Sequence, residues 1–302
     1  MARVLDVGCD RVVSIAEFVE QVETQVDLRD LDSVAAAAPL LRGLANDRRL
    51  VVDRLNRQVE HLFRRDTVAS AQVLYLGEGR DFYLRANIWP SQHEIDSGRM
   101  SRNAFAYHLA HDHNYSFMTV GYHGPGYRTA LYDYDHDRVS GYIGETVDLR
   151  YVGEQHFGMG MVMLYEASRD VHTQHPPEAL SVTLNWMIAT PEVRLRDQFF
   201  FDLERRQLID YPLELDGSRR ISVLRMAGDI GNPDTLQLLH DLALTHPCRR
   251  TRLAACTSFA RLAPASEVRA LWQRACDDPE PMVALAARRQ LQEPVDAVTS
   301  ID

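Results

Sequence analysis

The sequence predicts an α+β protein in which an antiparallel β-barrel lies between an N-terminal helical segment and a C-terminal domain of helical repeats. Three observations support this prediction. Apolar residues recur at helical spacing near the N-terminus, they alternate with a period of two in the middle, and a repeat of 32 residues fills the last third. The expected boundaries are 1–68 for the helical segment, 69–216 for the barrel, 217–292 for the repeats and 293–302 for a tail.

The composition limits the classes of function. The chain has 302 residues, 45% hydrophobic and 25% charged, which is enough for more than one folded domain. Its formal net charge of −10 argues against nucleic acid as a partner. All 33 basic residues are arginine, because the sequence contains no lysine. Mechanisms that need a lysine amine, such as pyridoxal-type Schiff bases and P-loop phosphate binding, are therefore excluded.

The sequence also indicates a compartment. Asp6 and Asp10 interrupt the apolar stretch that a signal peptide would need, and no run approaches the roughly 18 apolar residues of a membrane span. The four cysteines form no Cys-x-x-Cys pair, which favours free thiols in a reducing environment. We therefore expect a cytoplasmic, soluble protein without a membrane partner.

The N-terminal segment carries helix signals. Ser14 followed by Glu17 has the spacing of a capping box, and apolar residues then recur every three to four positions. Similar spacing predicts a second helix over 34–44, short or kinked because it contains a proline, and a third over 50–62. No residue pattern in this segment indicates a catalytic or binding site.

The middle of the chain reads as strands separated by glycine, proline and charged turns. Eight short strands without helices between them are typical of a closed or sandwiched antiparallel architecture. The candidate strands are 73–76, 82–89, 105–110, 115–122, 127–134, 147–152, 161–166 and 180–188.

The last third repeats. A shift of 32 residues aligns Leu239 with Leu271 and Ala243 with Ala275, and prolines precede the helices. A period of this length indicates stacked helix pairs. The region resembles HEAT-type repeats over about 218–292, in about two and a half units. We expect these repeats to be a structural support, a self-association surface, or a dock for a protein partner or tethered substrate.

Histidines cluster in the middle third. Nine of the 12 lie between His93 and His175. On an extended segment, His111 and His113 project to the same face, since side chains alternate with a period of two. His172, which precedes a strongly alternating strand, is the best third ligand. Three imidazoles arranged in this way predict a facial site with open positions on a divalent ion.

Several alternatives stay open at this stage. His175 or His108 could replace His172 as the third ligand. Glu166 and Asp170 could enter the site as carboxylate ligands or could orient an imidazole through a hydrogen bond.

The residues around these histidines resemble a known family. The run from His111 to Phe117, followed by an apolar strand and a turn, resembles the first metal-binding motif of cupins, most closely in the cysteine dioxygenase branch. Asp170-Val171-His172 resembles the second motif of that branch. Tyr83-Leu84-Arg85 resembles its Tyr-x-Arg element, in which the arginine holds a substrate carboxylate. The resemblance covers about 82–188 and implies a jelly-roll barrel.

The chain departs from this family in two ways. Residues 114–117 contain no carboxylate where other cupins carry a glutamate, which favours a site with three histidines alone. Of the serine-histidine-tyrosine relay of cysteine dioxygenases, only Ser181 has a counterpart here, because Thr183 and Asn185 stand at the other two positions. The resemblance therefore implies the metal chemistry and not a thiol substrate in particular.

Together the residues and the resemblance imply a non-heme Fe(II)-dependent oxygenase that uses dioxygen, with Mn(II) or Zn(II) as alternative metals. It would oxidise an amino-acid-like substrate, free or tethered to a peptide or carrier protein, by hydroxylation or thiol oxygenation. The expected site residues are the ligands His111, His113 and His172, the substrate-binding Arg85, and the catalytic residues Tyr83, Tyr115 and Ser181. The alternatives are a non-catalytic metal-binding scaffold and a redox-silent cupin isomerase or hydrolase.

Overall fold

The computed structural model describes residues 1–62, 72–100, 105–212 and 216–292, and the chain divides into two compact units. The first unit contains Met1–His136, Val147–Val193 and Phe200–Arg206. The second contains Asp137–Thr146, Arg194–Phe199 and Gln207–Asp302. The predicted tail, 293–302, lies outside the described residues. Every helix in the described part of the chain is too short or too polar to cross a lipid bilayer.

After a short N-terminal strand, the first unit continues with helices, as predicted. They are α1 (Ile15–Gln25), α2 (Leu31–Ala36), α3 (Ala38–Leu44) and α4 (Leu50–Leu62). Ser14 caps α1, because its side chain accepts a hydrogen bond from the backbone N–H of Glu17 at 3.2 Å. The predicted second helix is divided at Ala37 into α2 and α3.

Strands make up most of the remaining first unit. They are β1 (Arg3–Leu5), β2 (Val73–Gly79), β3 (Phe82–Trp89), β4 (Ala110–His111), β5 (Phe117–His123), β6 (Tyr127–Asp133), β7 (Arg150–Phe157), β8 (Val162–Tyr165), β9 (Asp170–Gln174), β10 (Ser181–Ile188) and β11 (Phe200–Asp202). A short helix, α5 (Gln92–Asp96), follows β3. The sequence analysis missed β1, β9 and β11, and the strand predicted over 105–110 is reduced to β4.

The strands pair into two antiparallel sheets. The first has the order β1-β8-β5-β10-β3-β2, and within this unit the second runs β11-β4-β9-β6-β7. The prediction of one closed barrel is therefore wrong. The physical reason lies in the helices, because α1 and α4 pack against β2 and α3 packs against β5. Those helices bury apolar surface and cover an edge strand without closure of the sheet.

The core of the first unit lies between these helices and the first sheet. Phe18 of α1 packs edge-to-face on Trp186 of β10, with ring centroids 5.2 Å apart. Both side chains are fully buried, as are Leu41 and Leu184 in the same cluster. Because side chains alternate along β10, the opposite face of that strand, with Thr183 and Asn185, points away from this apolar core.

The second unit contains β12 (Gln207–Asp210) and the helices α6 (Asp216–Ile230), α7 (Pro233–Thr245), α8 (Arg249–Leu262), α9 (Ala265–Ala275) and α10 (Pro281–Gln292). The predicted stack of helices is confirmed. Arg252 of α8 binds both carboxylate oxygens of Asp278, at 2.8 and 2.7 Å, and donates to the carbonyls of His246 and Pro247. This buried ion pair joins helix ends of neighbouring repeats.

Candidate metal centre

Two adjacent strands of the second sheet position two of the predicted ligands. His111 of β4 and His172 of β9 are direct cross-strand partners in an antiparallel pair. Partners of this kind carry their side chains on the same face at close range. His113 lies two residues beyond His111 and returns to that face. Asp112 is fully buried between them and accepts a hydrogen bond from the hydroxyl of Tyr134 at 2.6 Å.

The three imidazole rings converge. The Nε2 atom of His172 lies 3.1 Å from Nε2 of His111 and 3.2 Å from Nε2 of His113. All three ligand atoms lie within 4.8 Å of one another. His111 is 7% exposed and His172 is 2% exposed, so the cluster is shielded from bulk water. Among the described residues, this group alone has the composition and spacing of a metal site.

Burial favours the neutral form of His111 and His172, and the ring of His111 has a fixed tautomer. Nδ1 of His111 lies 2.8 Å from the carbonyl oxygen of Leu109. A carbonyl can only accept, so Nδ1 carries the proton and Nε2 presents its lone pair to the cluster. Burial lowers the pKa of His111, and burial together with the neighbouring His111 lowers the pKa of His172 well below its usual value. Neutral imidazole is the form that binds a metal ion.

The spacing of the nitrogens fits a metal ion. Metal–nitrogen bonds of about 2.0–2.1 Å place the ligand nitrogens of one ion roughly 2.8–3.4 Å apart. The observed separations of 3.1 and 3.2 Å fall inside this range. The donor set, three imidazoles, is one that iron and zinc both accept.

Aromatic rings hold the imidazoles in place. Tyr115 stacks on His113 with ring centroids 4.7 Å apart, and Phe117 meets His113 edge-on at 5.0 Å. Phe117 also stacks on Tyr165 at 4.5 Å, and Tyr165 contacts the ring of His172 at 4.8 Å. Packing of this kind restricts the rotamers of the ligands and keeps the site formed.

The cluster opens into a cavity of about 190 Å³ in the first unit. Arg85 of β3 lines the cavity, and its side chain hydrogen-bonds to the hydroxyl of Tyr115. Burial raises the pKa of Tyr115 to about 12, so its phenol keeps its proton at neutral pH. None of the described lining residues is aspartate or glutamate. The wall therefore carries a guanidinium without a compensating carboxylate.

The structure brings some of the predicted site residues together and not others. Arg85 and Tyr115 share the cavity with the three histidines. Tyr83 is half-buried and stacks on Tyr75, with ring centroids 6.4 Å apart, and it is absent from the cavity lining. Ser181 is buried at the start of β10 and also lies outside the lining.

The hydroxyl of Ser181 is occupied by backbone groups. It accepts a hydrogen bond from the N–H of Gly126 at 3.0 Å and donates to the carbonyl of Ala179 at 3.1 Å. Those two bonds use its donor and one acceptor position. In this structure Ser181 stabilises the turn before β10.

The alternative ligands lie elsewhere. His175 packs against His108, with ring centroids 5.2 Å apart, and neither belongs to the three-histidine group. The carboxylate of Asp170 accepts hydrogen bonds from the backbone N–H groups of Ala2 and Glu166, at 2.6 and 2.7 Å. Arg169 donates to the carboxylate of Glu166 at 3.1 Å. The structure therefore places His172 beside His111 and His113, and it places none of these four alternative residues there.

Sequence reasoning missed several cavity residues, among them the buried amides Asn87 and Gln174. A signal was present for both. Asn87 lies two positions after Arg85 on β3, and Gln174 lies two positions after His172 on β9. The period of two that placed His113 beside His111 also places each of these amides on the face of its neighbour.

Comparisons with known proteins identify one part of the chain. Residues 214–292 match the family model for HEAT repeats, which confirms the prediction for the C-terminal region. A comparison with curated protein sequences finds no match.

Several solved structures resemble part of the chain weakly. Hydroquinone 1,2-dioxygenase from Sphingomonas sp. TTNP3, with 4-hydroxybenzoate bound, is 10% identical with a TM-score of 0.27 over 40% of this chain and 68% of that one. The hydroquinone 1,2-dioxygenase PnpCD, in complex with Cd2+ and 4-hydroxybenzonitrile, is 12% identical with a TM-score of 0.25 over 43% and 71%. The DMSP lyases RdDddP and RnDddQII are represented by a structure that is 12% identical, with a TM-score of 0.25 over 63% of this chain and 80% of that one. Likeness at this level carries no argument about the reaction of this chain.

Proposed function

We propose that this chain is a non-heme iron-dependent oxygenase whose Fe(II) is held by His111, His113 and His172, in a cupin-type site near the cysteine dioxygenase branch. The observation that carries the proposal is the convergence of three buried Nε2 atoms at metal-ligand spacing. Iron bound there would supply Lewis acidity and the redox chemistry that dioxygen requires. Mn(II) and Zn(II) are the alternatives, with an isomerase or hydrolase reaction or a non-catalytic scaffold.

The charge of the cavity selects an anionic substrate. Three neutral imidazoles leave the full charge on a bound divalent ion, and Arg85 adds a guanidinium. No described lining residue is a carboxylate. Asp112, buried between His111 and His113, lies outside the lining and accepts a hydrogen bond from Tyr134, so the lining residues themselves carry only positive charge. Arg85 is suited to bind a substrate carboxylate, since its planar fork matches the two oxygens.

Tyr115 supplies a hydrogen-bond donor in the proposed site. Its ring lies on His113 and its hydroxyl contacts Arg85, so the phenol stands between the metal ligands and the carboxylate-binding group. Because its pKa is raised to about 12, it donates a hydrogen bond without losing its proton at neutral pH. The catalytic roles of Tyr83 and Ser181 stay predictions.

The size of the cavity limits the substrate. A volume of about 190 Å³ is below the roughly 300–1,000 Å³ that is usual for pockets of drug-sized ligands. The proposed substrate is accordingly a small amino-acid-like carboxylate, or the terminal part of one tethered to a peptide or carrier protein, oxidised by hydroxylation or thiol oxygenation. A role of the helical repeats as a structural support, a self-association surface, or a dock for a protein partner or tethered substrate stays a prediction.

The proposal is tested by iron content and oxygen uptake. The full chain is loaded anaerobically with Fe(II), and bound iron and dioxygen consumption are measured with a panel of small carboxylates. His113→Ala should lose both the iron and the uptake, because two imidazoles remain. His123→Ala is the matched control, since His123 is an exposed histidine at the end of β5.

Two outcomes would contradict the proposal. Retained iron and oxygen uptake in His113→Ala would remove this residue from the ligand set. Tight iron binding with no uptake for any carboxylate would favour the isomerase, hydrolase or scaffold alternatives.

A further inference from the structure

Three polar atoms on the cavity wall have no hydrogen-bond partner. They are Oδ1 of Asn87, Oε1 of Gln174 and Nε of Arg85, all buried. Asn87 is 6% exposed and Gln174 is 4% exposed. Buried polar groups are normally paired, because loss of water without a replacement bond costs free energy. The residues that carry these atoms line the cavity, so a bound ligand could supply the missing hydrogen bonds.

The two amides reach the cavity from different sheets. Asn87 lies on β3 of the first sheet, two positions from Arg85, and Gln174 lies on β9 of the second, two positions from His172. One wall thus presents a guanidinium beside an amide, and the other presents an imidazole beside an amide.

The side-chain amide of Gln174 makes no well-aligned hydrogen bond to the imidazole of His172. Its nitrogen lies 3.3 Å from Nδ1 and 3.2 Å from Nε2 of that imidazole. A group equally distant from both ring nitrogens lies over the face of the ring and not along either lone pair. The oxygen of the same amide remains available to a donor in the cavity.

The charges around these amides decide which donor suits them. An ammonium group would enter a cavity that holds Arg85 and, in the loaded protein, a divalent ion, without any lining carboxylate among the described residues. Repulsion between like charges opposes that binding. A hydroxyl or an amide N–H donates equally well to a carbonyl oxygen and adds no charge.

We infer that Asn87 and Gln174 select a small carboxylate whose neighbouring substituent is an uncharged hydroxyl or amide N–H, and disfavour a free ammonium group. The inference rests on the proposed function and narrows its substrate. An amino-acid-like substrate would carry an acylated nitrogen, as in an N-acyl amino acid, and a hydroxy acid would satisfy the same groups.

A series of ligands with one carbon skeleton tests this directly. Propionate, L-lactate and L-alanine differ at one position, which carries hydrogen, hydroxyl or ammonium, and N-acetyl-L-alanine presents the amide N–H. Binding is measured by calorimetry on the full chain without metal and again with Zn(II) bound. The metal-free series is decisive, because hydroxyl and amine groups also chelate metal ions.

We expect L-lactate to bind metal-free protein about tenfold more tightly than propionate, as one or two new hydrogen bonds imply. L-alanine should bind more weakly than propionate. If N-acetyl-L-alanine shares the advantage of L-lactate, the natural ligand class includes acylated amino acids. If L-lactate alone has it, the class is the hydroxy acids.

Two variants of Asn87 assign the preference to that residue. Asn87→Leu should reduce the ratio of L-lactate to propionate affinity to about one, with propionate binding unchanged. Asn87→Asp should reverse the order and favour L-alanine, because the new carboxylate pairs with the ammonium group. Gln155→Leu is the matched control, since it removes a half-buried amide of β7 that lies outside the cavity lining, and it should preserve the ratio.

The inference is overturned if L-alanine binds wild-type protein as tightly as L-lactate, if Asn87→Leu keeps the lactate advantage, or if no probe of the series binds. These results are separable from a failure of the proposed function. If the chain binds iron and consumes oxygen as proposed but prefers L-alanine to L-lactate, the inference about Asn87 and Gln174 is overturned and the proposed function stands. A lactate preference in a chain that binds no iron would overturn the proposed function alone.

Discussion

The two faces of strand β10 are equally buried and differ in chemistry. Leu184 and Trp186 are 0% exposed and face the helices, while Thr183 and Asn185 are 2% and 4% exposed and face the other way. Burial alone would favour apolar side chains on both faces, since polar groups lose water when they are buried. The helix-facing side therefore belongs to the apolar core, whereas the polar side brings Asn185 to the cavity wall.

The helix-facing side should be the more sensitive to truncation. Trp186→Ala removes a fully buried ring that packs against Phe18, and it should lower the free energy of unfolding by about 3–5 kcal/mol. Urea denaturation monitored by circular dichroism measures this loss. A cost below about 1 kcal/mol would mean that this face does not form the main core.

On the polar face of β10, the stability change caused by a substitution should depend on whether it leaves a buried hydrogen-bonding group without its partner. Asn185→Ala leaves the hydroxyl of Thr119 without its partner, and should cost about 1–3 kcal/mol. The double variant Thr119→Val with Asn185→Leu replaces both partners by apolar groups of similar shape and should be nearly neutral. The same denaturation experiment compares the two. If the double variant costs as much as the single one, the polar pair stabilises the fold and the contrast between the faces weakens.

The imidazoles of the site should make stability depend on pH. Burial lowers the pKa of His172 in the folded chain, so below about pH 6.5 the unfolded chain binds the proton more readily. The free energy of unfolding of metal-free protein should therefore fall as pH falls, by up to about 1.4 kcal/mol per pH unit for each proton taken up. Above pH 7 it should be flat with respect to this group.

Denaturation of wild-type protein and His172→Gln at several pH values measures this dependence. The variant should show a smaller decrease between pH 7 and pH 5, since glutamine does not titrate. An identical decrease in both proteins would mean that His172 is not held neutral by burial.

The three-histidine group could be predicted from the sequence because the spacing of His111 and His113 follows strand geometry. The period of two placed His111 and His113 on one face, and the structure brings His172 beside them as a cross-strand partner of His111. Strand β3 also matched its predicted bounds, because Phe82–Trp89 is apolar enough to read as a strand and a turn precedes it.

Other features could not be predicted locally. Strand β9 is fully buried, yet Asp170, His172 and Gln174 alternate with Val171 and Thr173, so its composition gives little apolar signal. Its burial comes from its place between β4 and β6, which lie far from it in sequence. The two open sheets could not be predicted for the same reason. Alternation of side chains identifies the strands but does not determine which strand edges pair.

The account depends most on three imidazoles that share one metal ion. X-ray absorption at the iron edge, on full-length protein loaded anaerobically with Fe(II), measures the neighbours of that ion directly. We predict the scattering of three imidazoles in wild-type protein and in His123→Ala, and no bound iron in His111→Ala, because only two imidazoles of the group remain. Iron without imidazole neighbours in wild-type protein, or iron with three imidazole neighbours in His111→Ala, would contradict the account.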